Sequence, residues 1–282
     1  MRFFTTLFVI VTTLLVSTFA WSGTEVEVFD ETFVANGRWF KSDVRDDGTA
    51  SIVFLTGLGG DLENNQPLPI SAALLTTGPS NSDKAEVAVA NNYGLASAVL
   101  TAIELTYSYY KETVAGGNIF AAPSIKLTLF ASGGTGDNFG TLVYEPSWNQ
   151  SGGGSQAVPA DAWQNLVIDP NTGSGADASG GWWWTGGFEI PSGAGGPPLR
   201  SLAEWAAAFA AADPADFPIA GVVAISVGVG SFNQGQKGYF DDVTITNTLA
   251  DACYDFELDA TLPVEETTWG AIKNRYSTGE DE

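Results

Sequence analysis

Three consecutive tryptophans, Trp182-Trp183-Trp184, stand between Ser179-Gly180-Gly181 and Thr185-Gly186-Gly187. Indole faces stack on sugar rings through C–H contacts, and glycine flanks let a ligand approach the backbone. If the segment is extended, Trp182 and Trp184 share one face and Trp183 the other, so at least one side belongs to a core. Ligand contact and packing alone are both open readings. A second pointed residue is Asp241, in Gly238-Tyr239-Phe240-Asp241-Asp242-Val243-Thr244-Ile245-Thr246. Alternation and β-branched residues make this stretch a strand, with Tyr239, Asp241, Val243 and Ile245 on the more apolar face. An unpaired inward charge is costly. Asp241 therefore requires a metal, a backbone amide, a Trp N–H or an arginine.

Other acids and nucleophiles carry less. Asp255-Phe256-Glu257-Leu258-Asp259 sets three acids on one face of a short strand. Glycoside hydrolysis needs paired carboxylates, but spacing alone is a weak signal, and a solvated face or a cation contact is the better reading. Ser108-Tyr109-Tyr110-Lys111 has the Ser-x-x-Lys spacing. That pair needs a helix to meet, and in a strand positions i and i+3 point to opposite faces. Gly134-x-Gly136 lacks the Gly-Lys-Ser/Thr of a phosphate loop.

The 282 residues contain no histidine. Ser-His-Asp triads, Cys-His pairs, His-ligated zinc and a histidine general base are all excluded. Acids outnumber bases 33 to 11, for a net charge of −22, and such a surface repels nucleic-acid phosphates and anionic membranes. One cysteine, Cys253, permits no intrachain disulfide and reads as a small buried hydrophobe.

Met1-Arg2 followed by the apolar run 3–20 reads as a secretory signal peptide, with cleavage after Ala20 or Ser22. No later stretch is long and apolar enough to span a membrane. Strands are expected at residues 25–28, 51–55, 99–111, 124–130, 142–144, 166–168, 188–190 and 219–229, besides the one at 238–246. In the 99–111 strand Ile103, Leu105, Tyr107 and Tyr109 face one way. In 124–130 Ile125, Leu127 and Leu129 point in, and Lys126 and Thr128 point out. In 219–229 Val223, Ile225, Val227 and Val229 share a face. Ser201 caps one short helix whose stripe is Leu202, Trp205 and Phe209. Long Gly-, Ser- and Asn-rich loops cover 132–140, 150–156, 170–181 and 192–198, where binding sites on rigid sandwiches sit. The expected architecture is all-β: a two-sheet jelly-roll β-sandwich over 24–248, with one short helix and long Gly-rich loops. Residues 249–282 read as an acidic appendage or linker.

The opening Phe29-Asp30-Glu31-Thr32-Phe33 and the closing Gly238–Ile245 phrase resemble the first and last strands of jelly-roll carbohydrate-binding modules and related concanavalin A-like secreted bacterial β-sandwich domains. The resemblance covers residues 24–248 in layout and these two motifs in sequence. It implies one structural calcium held by Glu31 and Asp241, with Asp30 or Asp242 as the lesser candidates, in keeping with the oxygen ligands that calcium takes. It also implies a secreted, non-catalytic, lectin-like module, with Trp182, Trp183 and Trp184 as the ligand-binding residues and an extracellular glycan as partner. A surface or structural protein that uses the sandwich for protein–protein contact is the alternative. A carboxylate-based polysaccharide hydrolase or lyase is the third.

Overall fold

The computed structural model of the chain describes residues 24–27, 39–136, 138–173, 180–193 and 195–258. The leader at 1–20, the Phe29–Phe33 motif with Glu31, and the tail from 259 onward lie outside these residues. Among the described residues thirteen strands form two sheets: β1 (Thr24–Glu27), β2 (Phe40–Lys41), β3 (Thr49–Phe54), β4 (Ser71–Thr76), β5 (Ala85–Ala90), β6 (Glu104–Lys111), β7 (Ser124–Phe130), β8 (Phe139–Tyr144), β9 (Trp163–Ile168), β10 (Trp183–Gly186), β11 (Gly221–Val229), β12 (Lys237–Thr246) and β13 (Asp251–Asp255). Three helices join them: α1 (Gly60–Asn64), α2 (Ala96–Val99) and α3 (Leu202–Ala212). The fold is a two-sheet jelly-roll β-sandwich.

One sheet has seven strands and is built on β12. One edge of β12 pairs with β6, which pairs onward with β9. The other edge is shared. Lys237–Phe240 pairs with β4 and, beyond it, β3, while Val243–Thr246 pairs with β13 and, beyond it, β1. The second sheet runs β10-β8-β7-β11-β5-β2.

The expected alternation holds where the ladder is regular. Ile103, Leu105, Tyr107 and Tyr109 are buried between the sheets, as are Ile125, Leu127 and Leu129. It shifts at two bulges, where an extra residue in one strand reverses the facing of the residues after it. In β11 the register slips between Val222 and Ala224, so Val222, not Val223, joins Ile225, Val227 and Val229 in the core. In β12 it slips between Asp241 and Thr244, with Asp242 at φ 51°. Phe240 then shares the main core with Val243 and Ile245, whereas Tyr239 packs in a separate cluster with Tyr110, Leu55 and Leu62.

The sandwich does not end at 248. β13 is a full member of the seven-stranded sheet, and Tyr254 and Phe256 lie in the core against Trp39, with ring centroids 5.5 and 5.1 Å away. Residues 249–258 therefore belong to the domain, because Tyr254 and Phe256, which share one face, are buried in its core. Thr24–Glu27 of β1 pairs in parallel with Ala252–Asp255 of β13.

The helix α3 starts as its sequence dictates. Ser201 Oγ accepts the Glu204 N–H (3.2 Å), and the Glu204 carboxylate accepts the Ser201 N–H (2.9 Å). This reciprocal cap stabilises the helix start by about 1 kcal/mol. Trp205 and Phe209 then stack at 5.4 Å, Phe209 meets Trp184 at 4.6 Å, and the Trp205 indole N–H donates to the Trp182 carbonyl (2.8 Å). The helix thus pins β10 by its inward tryptophans. Trp184 also needs the bare backbone of Gly140 on β8, where an added Cβ would stand 2.2 Å from its ring. Two short helices, α1 and α2, add to the single one expected. Their five and four residues carry too little periodicity to read from sequence.

Gly140→Ala is expected to destabilise the protein by about 1–3 kcal/mol through overpacking, read as a lower urea midpoint, with Trp184 fluorescence perturbed. A midpoint equal to the parent's would show that Trp184 is not locked against β8.

Candidate functional site

Because Ile125, Leu127 and Leu129 fill the core, the alternate residues of the second sheet form its outer face. Register places Trp183 opposite Val143, Val143 opposite Lys126, and Lys126 opposite Ser226. One step along, Ser124 is opposite Gly228, and Gly228 is opposite Glu86. Glu145 follows Tyr144, which pairs with Ile125, and so stands beside Ser124. The side chains of five strands are thereby set in two rows on one surface.

Above these rows lie two adjoining cavities, of about 440 Å³ and about 360 Å³. Lys84, Glu86, Lys126, Thr141, Trp183 and Thr185 line the first alone; Phe120, Pro146, Ser147 and Trp148 line the second alone. Ser124, Glu145, Gly195, Ser231, Phe232 and Asn233 line both, so the two make one cleft with Glu145 at its waist. Phe232 is 70 % exposed and Phe120 43 %, and both stand on the rim.

The three tryptophans divide as an extended segment requires. Trp182 and Trp184 are buried in the core, at 0 % and 1 % exposure, and Trp183 is the half-buried one that lines the cleft. Its indole Nε1 is buried and interacts with the Glu145 carboxyl without closing a hydrogen bond of ordinary geometry. The Trp148 indole N–H donates to the Gly195 carbonyl (3.1 Å), which fixes that ring against the loop.

The cleft floor is charged. Lys126 Nζ pairs with the Glu86 carboxylate, and Lys84 Nζ pairs with it at 3.1 Å and with Asp43 at 2.7 Å. The bare Gly228 makes this possible. A Cβ there would sit 2.9 Å from Glu86 Cβ and Cγ, so the Glu86 stem crosses β11 only over a glycine. Burial pushes the Glu86 carboxyl up, but the two lysines outweigh it and hold it at about 2. Glu145 behaves oppositely. Burial pushes it up to about 7, against the pull of Lys126 and of the neighbouring Trp183 and Trp148 indoles.

The rim is braced from below by Lys111, whose Nζ donates to the Asn118 carbonyl (2.6 Å), the Ala121 carbonyl and Gln236 Oε1 (3.0 Å). Asn118 Nδ2 donates to Asn233 Oδ1 (2.9 Å), tying the loop at 112–123 to that at 230–236. Lys111 is the lysine of the Ser-x-x-Lys spacing. Burial lowers it to about 8, and its partners are carbonyls, not Ser108.

Asp241 is fully buried where β12 changes partner from β4 to β13. Its Oδ1 accepts the Phe256 N–H (3.2 Å), and its Oδ2 has no hydrogen-bond partner. Burial, with Asp255 nearby, pushes its carboxyl well above the usual range. An orphaned oxygen beside a second acid suits one ligand of a hard cation. Among the described residues no three acids cluster to hold a metal, and Glu31 lies outside them. Asp255 ends β13 of the seven-stranded sheet, Glu257 lies just beyond it, and neither lines the cleft. Glu257 Oε1 accepts the Ser71 N–H (3.1 Å), and Asp259 lies outside the described residues.

Neither a protein-family model nor a curated protein sequence matches the chain. Solved structures similar to it are carbohydrate-binding modules and related jelly-roll proteins. A family 11 carbohydrate-binding module from Clostridium thermocellum, in complex with a β-1,3-1,4-mixed-linked tetrasaccharide, is 10 % identical over 82 % of this chain and 99 % of its own, with TM-score 0.37. TmCBM61 in complex with β-1,4-galactotriose is 12 % identical over 75 % and 91 %, with TM-score 0.34. The endo-β-1,4-glucuronan lyase of the fungus Trichoderma reesei is 15 % identical over 80 % and 97 %, with TM-score 0.37. Likeness at this level says nothing of what this chain binds; its own strand pairing establishes the sandwich. Among the described residues no helix is long and apolar enough to cross a membrane.

Glu86, Lys126, Glu145, Trp148 and Phe232 were not singled out by sequence as a site, since they come from four separate segments. Only the outward position of Lys126 was legible. Glu86 gives the floor an acid limb. Its carboxyl is depressed in the folded state, so its stabilisation is full above the ordinary 4.5 and is lost as pH falls through about 2. Glu86→Gln is expected to flatten the pH dependence of urea stability across that window, the parent losing more stability than the variant. Parallel curves for parent and variant would remove Glu86 from the acid response.

Proposed function

We propose that the protein is a secreted, non-catalytic carbohydrate-binding protein whose ligand lies in the cleft on the outer face of the six-stranded sheet. The observation that carries this reading is the cleft itself: an open trough of two cavities in which an outward indole, Trp183, is flanked by Trp148, Phe120 and Phe232 and by hydrogen-bonding side chains. Pockets with an apolar wall and a few placed polar groups are the usual form of small-ligand sites. Rings offer C–H stacking, and Ser124, Asn233, Thr141 and Glu145 offer partners for hydroxyls. Trp182 and Trp184 serve by anchoring β10, so that Trp183 is held at a fixed angle.

The non-catalytic part of the reading rests on Glu86. A carboxylate neutralised by two lysines is a poor base and a poor nucleophile, so among the described residues the cleft holds no second free carboxylate beside Glu145, and glycoside hydrolysis requires two. Export belongs to the reading through residues 1–20, with cleavage after Ala20 or Ser22.

A glycan array followed by titration tests the reading. At least one glycan is expected to bind, and Trp183→Ala is expected to weaken it about tenfold or more, about 1.4 kcal/mol, with the melting temperature little changed. Self-assembly without glycan binding would favour the protein-contact reading instead. Release of reducing or unsaturated sugars, abolished by changing Glu145 or Glu86, would make it an enzyme.

A second reading concerns stability. Asp241, with its partnerless Oδ2, serves as one ligand of a structural calcium, with Glu31 as the other side-chain ligand. Calcium added to chelator-dialysed protein is then expected to raise the melting temperature, and Asp241→Asn to abolish the rise. A melting temperature indifferent to calcium, with Asp241→Asn as stable as the parent, would identify Asp241 as a buried neutral acid.

A further inference from the structure

The glycan reading leaves the ligand's class open, and the waist of the cleft narrows it. Among the described residues Glu145 is the one carboxyl that borders both cavities, so a ligand spanning the cleft passes over it. The charged groups that surround it can be named strand by strand. Lys126 projects from β7, and Glu86 and Lys84 from β5 and its start, with Asp43 and Arg45 behind Lys84. Trp183 on β10 and Trp148 in the turn Pro146–Asn149 bring indole N–H edges, and the loop at 230–233 brings no charge. Beneath it, on the core side, are the neutral phenols of Tyr107 and Tyr144.

This surrounding is unlike the rest of the molecule. In a chain of 33 acids and 11 bases, the cleft floor gathers two cations, Lys84 and Lys126, against the one carboxylate of Glu86, with the Arg45–Asp43 pair behind Lys84 adding no net charge. One positive charge is left over when Glu145 is protonated and none when it is ionised. The indole donors lean on one acid. Trp183 Nε1–H is buried, closes no hydrogen bond of ordinary geometry and interacts with the Glu145 carboxyl, as does the Trp148 indole. Once Glu145 is protonated, the waist lacks an anionic acceptor of carboxylate size.

We propose that the cleft takes a carboxylated glycan, one bearing a uronic acid, and that Glu145 selects it by taking up a proton as the ligand carboxylate settles beside Lys126 and the Trp183 N–H. The proton comes from solvent. Protonated, Glu145 donates a hydrogen bond to the ligand; ionised, it repels the ligand's charge. The inference rests on the glycan reading but can fail without it. A ligand that binds only the protonated form loses affinity in proportion to that form. With the Glu145 carboxyl at about 7 in the empty cleft, the loss between pH 6 and pH 8 is about tenfold.

The test is calorimetric titration of the full chain with oligomers of galacturonate, glucuronate and mannuronate, each beside its carboxyl-reduced neutral counterpart. Titrations are run at pH 6 and pH 8 in buffers of different ionisation enthalpy. At least one uronate oligomer is expected to bind more tightly than its neutral counterpart, about tenfold more tightly at pH 6 than at pH 8, with uptake of close to one proton near pH 8. Glu145→Gln, which keeps a donor and removes the titration, is expected to bind it equally at both pH values with no proton uptake. Should that variant fail to fold, the proton uptake of the parent decides alone. Binding of neutral or sulfated oligosaccharides but not uronates would overturn the inference and leave the glycan reading standing, as would uronate binding indifferent to pH. Silence toward every sugar would bring down both.

Discussion

Packing of inward side chains between two sheets carries this fold. A chain with one cysteine has no intrachain disulfide to fall back on, so the sandwich rests on what its strands bury. That dependence fixes the surface as well. Period-two alternation means that each residue committed to the core commits its neighbour to the outside. Burial of Ile125 and Leu127 presents Lys126, and burial of Trp182 and Trp184 presents Trp183. The cleft floor is thus dictated by the core, and its side chains are held as firmly as the strands that bear them.

Glycines set where this arrangement can be occupied. Gly140 leaves room for the Trp184 ring on the inner side, and Gly228 leaves room for the Glu86 stem on the outer side. The two absences have opposite consequences. The first lets an aromatic lock β10 to β8, which steadies Trp183. The second lets an acid from β5 reach a lysine on β7 across the strand between them, which takes Glu86 out of service as a free carboxylate. Glu145 has no such lysine in contact, so burial dominates its chemistry and raises its carboxyl, whereas ion pairing dominates that of Glu86 and lowers it.

The strands and the helix were legible because they rest on local pattern: alternation in 103–109 and 124–130, and the Ser201 cap with its Leu202, Trp205, Phe209 stripe. The facings of Val223 and of Tyr239 against Phe240 were not, because a bulge is set by the partner strand's register and leaves no local mark. The domain's end was misplaced for a similar reason. Residues 251–259 read as a small acidic strand in isolation, and only the empty edge of β12 beyond Phe240 makes 251–255 a member of the sheet. Of the cleft, the tryptophan run could be seen and divided by face. Glu86, Glu145 and Trp148 could not, since an acid or an aromatic at a strand end acquires meaning only from the segments that converge on it.

The cleft walls show how a loop-built site can be rigid without a core of its own. The loops at 112–123 and 230–236 have few apolar contacts to order them, and their rim residues Ile119, Phe120 and Phe232 face solvent. Their order comes from Lys111, at the end of the regular strand β6. An ammonium group has three donors, and here each meets an acceptor: two carbonyls of one loop and the side-chain oxygen of Gln236 at the end of the other. Gln236 in turn donates to the Asn118 carbonyl (3.1 Å), closing the network. A hydrophobic side chain at position 111 would leave the Ala121 carbonyl and Gln236 Oε1 without this donor and the Asn118 carbonyl with Gln236 alone. The desolvation that lowers the Lys111 ammonium is the counterpart of this order. The strand meets that cost when the protein folds, so a ligand entering the cleft does not have to order the loops itself.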